Sequence, residues 1–153
     1  ELYYRNVSKP INIALSKTAT ASNSHPACPV SDINDGNPSE SSRWAASDST
    51  LPAWVEIDLG TPTRVNTLVL SENIVPEWAT ARISEFALQK WNGSAFETVF
   101  TFQGTISDEH IFKFDTIESE KVRILISALR PDTSINSAGQ TDPSLTEIEL
   151  YCY

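Results

Sequence analysis

Apolar residues alternate with polar ones along most of this chain, the period-2 signature of strands that bury one face. Val55, Ile57 and Leu59 point one way while Glu56 and Asp58 point the other. Val122, Ile124 and Ile126 alternate with Lys121, Arg123 and Leu125. Phe86 and Leu88 make a shorter example, and Phe96, Phe100 and Phe102 share one face of the strand that follows. Asn92-Gly93 separates these last two strands and signals a hairpin, because both residues tolerate positive φ. Further turns are expected at Gly60-Thr61-Pro62, around Gly104 and at Arg130-Pro131-Asp132. Helical periodicity is hard to find. Short alternating strands with turns between them predict an all-β fold, an antiparallel two-sheet sandwich or jelly roll.

A chain of 153 residues is long enough for one domain with a sizeable core. Residues 1–10 read as a linker or N-terminal edge segment, with Leu2, Tyr3 and Tyr4 able to pack on the domain edge, and residues 11–153 as a single domain. Thr133 to Ser144 is polar and turn-rich, a long loop before the final strand. The chain opens on Glu1 without a leader pattern and is expected to be a processed or excised piece. No run of about eighteen apolar residues appears, so no helical membrane span is expected. A net charge of −9 argues against polyanionic partners, which excludes nucleic acid and anionic membrane as expectations.

Cys28 and Cys152 are the only cysteines. They fit either one disulfide in an oxidising compartment or, for Cys152, a small core residue in alternation with Ile148 and Leu150. Asn6-Val7-Ser8 and Asn92-Gly93-Ser94 match the N-glycosylation pattern, which chance also supplies in a chain rich in Ser and Thr. His25 and His110 have no catalytic motif around them, and there is no Gly-x-Ser-x-Gly, His-Glu-x-x-His or phosphate-cradling loop. An acid pair for glycoside hydrolysis could be drawn from any acidic chain, so the expectation is that this domain is not an enzyme.

The segment Asp32-Ile33-Asn34-Asp35-Gly36-Asn37-Pro38, followed by Ser42-Arg43-Trp44, is rich in oxygen ligands, and Thr146-Glu147-Ile148-Glu149-Leu150-Tyr151 closes the chain. A hard cation wants six to eight oxygens, and Gly36 permits a sharp bend. On spacing alone an ordinary Asp-Gly-Asn turn is the commoner explanation. The surrounding blocks change the picture. Asn12-Ile13-Ala14-Leu15-Ser16-Lys17 precedes the loop and Trp54-Val55-Glu56-Ile57-Asp58-Leu59-Gly60 follows it. From about Ile11 to Tyr151 this order resembles the discoidin, or coagulation factor V/VIII type C, superfamily, closest to carbohydrate-binding modules of family 32. Leu68 to Ile74 and Gly104-Thr105-Ile106 also resemble the domain that follows the barrel in family 29 α-L-fucosidases.

The resemblance implies a galactose-binding-domain-like jelly roll and a structural calcium site. Its ligands would be the carboxylates of Asp35 and Glu147, the hydroxyl of Ser42, and the backbone carbonyls of Asp32, Asn37 and Thr146. Oxygen-only ligation favours calcium over zinc or copper. It also implies a glycan site on nearby loops, where an aromatic ring stacks under the apolar face of a sugar. Trp78 is the leading candidate, with Glu72, Asn73 and Arg82 able to reach hydroxyls and His25 or the stretch Ser47 to Thr50 able to line the pocket. Ser71 and Glu72 stand near the position where galactose binders of the family carry an arginine, a departure from the galactose pattern. Arg130 and Asp132 read as a mutual salt bridge; Trp44 and Trp54 are assigned to packing, and Trp91 to covering a sheet edge.

The function expected is therefore a non-catalytic carbohydrate-binding module or lectin domain of a larger, secreted, glycan-active protein. A non-binding domain that supports a glycoside hydrolase such as an α-L-fucosidase is the alternative. Cell-surface or protein adhesion ranks last, because the apolar spikes and basic clusters of membrane-binding relatives are missing.

Overall fold

A computed structural model describes residues 10–75, 80–130 and 142–153. Seven strands are found among them: β1 (Thr18–Ala21), β2 (Trp44–Ala45), β3 (Ala53–Glu72), β4 (Ile83–Trp91), β5 (Phe96–Gln103), β6 (His110–Leu129) and β7 (Ser144–Tyr151). A short 3-10 helix, Val30–Asn34, precedes β2. All pairings are antiparallel, in the order β2-β7-β3-β6-β4-β5 with β1 also on β3.

Strands β3 and β6 are each 20 residues long, and both pass through two layers. The reason lies at Gly60, where φ is +84°. Register jumps there from Asp58 opposite Lys121 to Thr63 opposite Ser119, so residues 59–62 stand against the single residue Glu120. The expected Gly60-Thr61-Pro62 turn is thus a bulge inside one continuous strand, held by the Asp58 carboxylate accepting from the Gly60 N–H at 2.9 Å. Bulges bend a strand and sharpen its twist. Before the bulge, β3 lies between β1 and the second half of β6, with β4 and β5 beyond; after it, β3 lies between the first half of β6 and β7, with β2 beyond.

The alternating residues meet between these layers. Val55, Ile57, Phe86, Leu88, Val122, Ile124 and Ile126 from one layer share a single buried cluster with Val65, Leu68, Leu70, Ile148 and Leu150 from the other. Phe86 packs edge-on against Phe112 at 5.3 Å, and Phe100 and Phe102 reach the same ring at 5.7 and 5.0 Å. These contacts stitch the two layers of a β-sandwich.

Several local expectations are corrected. In the β4–β5 hairpin only Gly93 takes positive φ. Asn92 instead uses its side-chain oxygen to accept from the N–H groups of Ser94 and Ala95, both at 2.9 Å, so a side chain shapes the turn. Cys28 is buried and Cys152 exposed, and both are free, so no disulfide forms and Cys152 lies outside the core. Trp44 is fully buried. Trp54 is only half-buried and carries the Arg123 guanidinium over its ring at 4.6 Å, while Trp91 packs edge-on against Phe96 at 5.0 Å. Residues 1–9, Asp132 and most of the loop expected over Thr133 to Ser144 lie outside the described residues.

Candidate functional site

The oxygen-rich loop and the last strand do meet. Gly36, at φ +84°, turns its N–H onto Glu147 Oε2 at 2.8 Å. On the loop side, Asp35 accepts from the Ser42 hydroxyl with one oxygen and from the Asn37 N–H, at 2.9 Å, with the other. Glu147 is buried, and its second oxygen, Oε1, has no hydrogen-bond partner. Burial above all, and then the charges of Asp35 and Glu149, push this carboxyl up to about 8 against the pull of the Gly36 N–H. Direct contact therefore brings Asp35, Ser42 and Glu147 to one place. Asp32, in the 3-10 helix, and Asn37 flank Asp35 in the chain. Thr146 is skipped in the register between β3 and β7, where Ser71 opposes Glu147 and Glu72 opposes Leu145. A bulge of this kind frees a residue from the ladder. Among the described residues no three Asp, Glu, His or Cys groups converge, so a cation here would rest on two carboxylates completed by hydroxyl and carbonyl oxygens. A buried carboxylate oxygen without a donor, beside a second carboxylate, fits that donor set.

The bend is held from beneath by two residues that sequence reasoning missed. Asn34 donates to the carbonyls of Ala14 and Lys17 at 2.7 and 2.8 Å. Asn12 accepts from the N–H groups of Ala14 and Leu150, both at 3.1 Å, which ties the start of the domain to β7. Asparagine before a turn is too common a signal to have singled out either one.

Where β3 ends, the loops between strands gather into a rim. Glu72 is buried and its Oε2 accepts from the N–H groups of Arg82 and Ile83, at 2.6 and 3.0 Å, fixing the start of β4. Its other oxygen has no partner, and neither has the buried Oδ1 of Asn73. Burial pushes the Glu72 carboxyl up to about 7, opposed by the two N–H groups and by the charges of Arg130 and Arg82. Asn73 donates its backbone N–H to Ser144 at the start of β7. Arg82 is buried, and its charge, with those of Asp48 and His25, acts on Asp142, whose carboxyl burial raises above its usual range. His25 accepts from the Ala27 N–H through Nδ1 at 3.1 Å, which in the neutral ring leaves the proton on Nε2. Four of the expected sugar-site residues, His25, Glu72, Asn73 and Arg82, thus gather at one rim, while Trp78 lies outside the described residues. Sequence reasoning missed Asp142; Arg130, expected to pair with Asp132, which lies outside the described residues, donates to the carbonyls of Ile83 and Gly104 at 2.8 and 2.7 Å.

A cleft of about 380 Å³ lies elsewhere, between the β4–β5 hairpin and the Gly60 bulge, against Trp91, Glu118 and Glu120. No expected site residue lines it.

A family model of the F5/F8 type C group, described as the NedA-like, galactose-binding domain, matches residues 32–124, more than half of the chain. The chain belongs to this family. No curated protein matches it by sequence. Chitosan-binding module 1 from a chitosanase/glucanase of Paenibacillus sp. IK-5, solved as a point mutant, is 26% identical over 94% of this chain and 100% of the module, with a TM-score of 0.75. The family 32 module of Clostridium perfringens NanJ, solved in complex with galactose, is 18% identical over 95% of this chain and 100% of that one, TM-score 0.72, a likeness of fold. SpGH29 is 23% identical over 92% of this chain, TM-score 0.75, and the chain spans only 28% of its length. The family and these modules are non-catalytic, and so is this domain.

Proposed function

We propose that this F5/F8 type C domain is a carbohydrate-binding module, and that it binds sugar beside His25, Asn73 and Arg82, with Trp78 as the residue that stacks on the sugar ring. The full-length likeness to a chitosan-binding module at 26% identity is the observation that carries this reading. The rim supports it chemically. Sugar recognition needs donors and acceptors converging at a loop end held by a rigid scaffold, and the imidazole N–H, guanidinium, amide and carboxylates supply both. A single shallow site of this kind binds at about −4 to −6 kcal/mol, in the millimolar to high micromolar range. A glycan array tests the reading: binding is expected, and Trp78→Ala should abolish it. An array without any signal would refute it.

In this reading Asp35, Ser42 and Glu147, with the carbonyls of Asp32, Asn37 and Thr146, hold a structural calcium ion. A bound dication would offset the two carboxylate charges and cross-link the early loop to β7, without taking part in chemistry. The module would belong to a larger extracellular protein and keep it at its glycan substrate. A second reading has a specific observation behind it: the chain matches about a quarter of the longer SpGH29 chain. The domain would then buttress a glycoside hydrolase without binding sugar itself. Deleting it from the parent protein would lower the enzyme's stability, and the glycan array would stay blank.

A further inference from the structure

The cleft of about 380 Å³ beside the β4–β5 hairpin lies apart from both the rim and the Asp35 loop. Strand direction fixes its place. Ile83, which opens β4, donates its N–H to Glu72 at the rim, and Trp91 closes the same strand. At about 3.3 Å per residue the cleft is roughly 26 Å from the rim, at the far end of the sandwich. Its walls are set before any ligand arrives. The buried Ser119 hydroxyl accepts from the Trp91 N–H at 3.0 Å and donates to the Lys121 carbonyl at 2.6 Å. The Asn92 side chain is committed to the hairpin turn and to Glu97, which its amide reaches at 2.7 Å, and Asp58 fixes the Gly60 bulge that carries Pro62.

Trp91, Pro62 and Gly93 supply the apolar part of the lining. The Trp91 ring is half-buried, and a Cβ at Gly93 would meet nothing within 4 Å. Lys90, Glu118 and Glu120 supply the charged part, and no hydrogen bond or ion pair engages these three side chains among the described residues. The charges balance, with two carboxylates against the Lys90 ammonium and that of Lys121, which stands over the Trp91 ring at 5.4 Å. A wholly apolar ligand would take water from these charges and return no hydrogen bonds. An ion of either sign would meet its like. A neutral ring with an apolar face and hydroxyls around its edge satisfies both demands.

The geometry points to a second binding site in this cleft, for a neutral pyranose packed against Trp91, its hydroxyls donating to Glu118 and Glu120 and accepting from Lys90. The volume falls within the range of about 300–1,000 Å³ that small-molecule sites occupy. This site does not depend on the rim, which shares none of its residues. Where both ends take sugar, one module holds two glycan chains, and two weak sites on one rigid body gain avidity on a polymer.

Amide NMR titration of the whole chain carrying Trp78→Ala, which disables the rim, tests this. The probes are glucose, galactose and lactose, then glucuronic acid and glucosamine in mildly acidic buffer, where the amine is protonated, and N-acetyltryptophanamide as a stand-in for an aromatic peptide side chain. At least one neutral sugar should shift the amides of Asn92, Gly93 and Ser94 saturably, with a dissociation constant in the millimolar range, and more tightly than either charged sugar. Trp91→Ala should weaken that binding. Glu118→Gln, at an exposed position where folding is not at stake, should weaken it by about fivefold, the size of one hydrogen bond to a charged group. Silence of the hairpin amides with all three neutral sugars overturns the inference, as does equal binding by both variants or tighter binding of a charged sugar or of N-acetyltryptophanamide. Shifts at Asn73 and Arg82 in the parent chain report the rim separately, so failure there leaves the cleft standing and failure here leaves the rim.

Discussion

Glu72 shows how one side chain can serve the fold and also work against it. Its carboxylate accepts the N–H groups that open β4, yet it does so in a buried position that disfavours charge. A folded-state value near 7 against an ordinary 4.5 means that the native protein keeps a proton which the unfolded chain releases. Below about pH 4.5 both states are protonated and the group is neutral in its effect. As pH rises from there to about 7, stability falls, by a total on the order of 3 kcal/mol. Glu72→Gln keeps an acceptor oxygen for Arg82 and Ile83 and removes the charge. Urea unfolding between pH 5 and 7.5 should therefore show a shallower decline for the variant than for the parent, with the variant the more stable at the upper end. Parallel pH profiles for the two proteins would contradict this account of Glu72. Glu147 adds a slope of its own, but it does so in both proteins and cancels from the difference.

At the scale of elements, β3 depends on Gly60 and the Asp35 loop on Gly36, and the two glycines differ in what surrounds them. A Cβ at Gly60 meets nothing within 4 Å, so Gly60→Ala carries only the cost of a left-handed backbone, about 1 kcal/mol. A Cβ at Gly36 meets Leu15 at 3.1 Å beside the N–H that Glu147 accepts, so Gly36→Ala should destabilise more and weaken cation binding as well. Chemical denaturation with and without calcium separates the two; equal effects of calcium on both variants would sink the distinction. The strands themselves were legible in the sequence, because alternation at Val55–Leu59 and Val122–Ile126 reports burial directly. Their partners were not, since a period of two says nothing about which strand lies alongside. Gly60 read as a turn for the same reason: only tertiary pairing distinguishes a chain reversal from a bulge. In β7 the alternation fails outright, with Leu145, Thr146, Glu147 and Ile148 buried in succession. That break marks the bulge from which Glu147 meets the loop, and it fell where the pattern was least readable. The oxygen-rich loop was visible because its composition is unusual; near Arg82 and the Ser47 to Thr50 stretch, both picked out from sequence, Asp142 was not, because it lies far along the chain and only the fold brings its carboxyl to them.

For the whole molecule the decisive question is what closes it. The start of the domain is fastened to β7 by Asn12 and by the Ile13 N–H on the Leu150 carbonyl at 2.8 Å, and the Asp35 loop reaches Glu147 in the same strand. Calcium held by the folded state alone would add about 2.7 kcal/mol at a hundredfold excess over its dissociation constant. For a chain of this size that corresponds to a rise in melting temperature of roughly 5–10 °C, at about 2–4 °C per kcal/mol. Calorimetry should find that rise on adding calcium to EDTA-treated protein, and none in Glu147→Gln. The sign of a second comparison separates a true cation site from an ordinary turn. With calcium removed at pH above 8, the parent holds a buried Glu147 charge next to Asp35 while the variant does not, so Glu147→Gln should melt higher than the parent. With calcium restored the order should reverse. A turn that merely capped itself would give the same melting temperature with and without EDTA, and the variant would never fall below the parent.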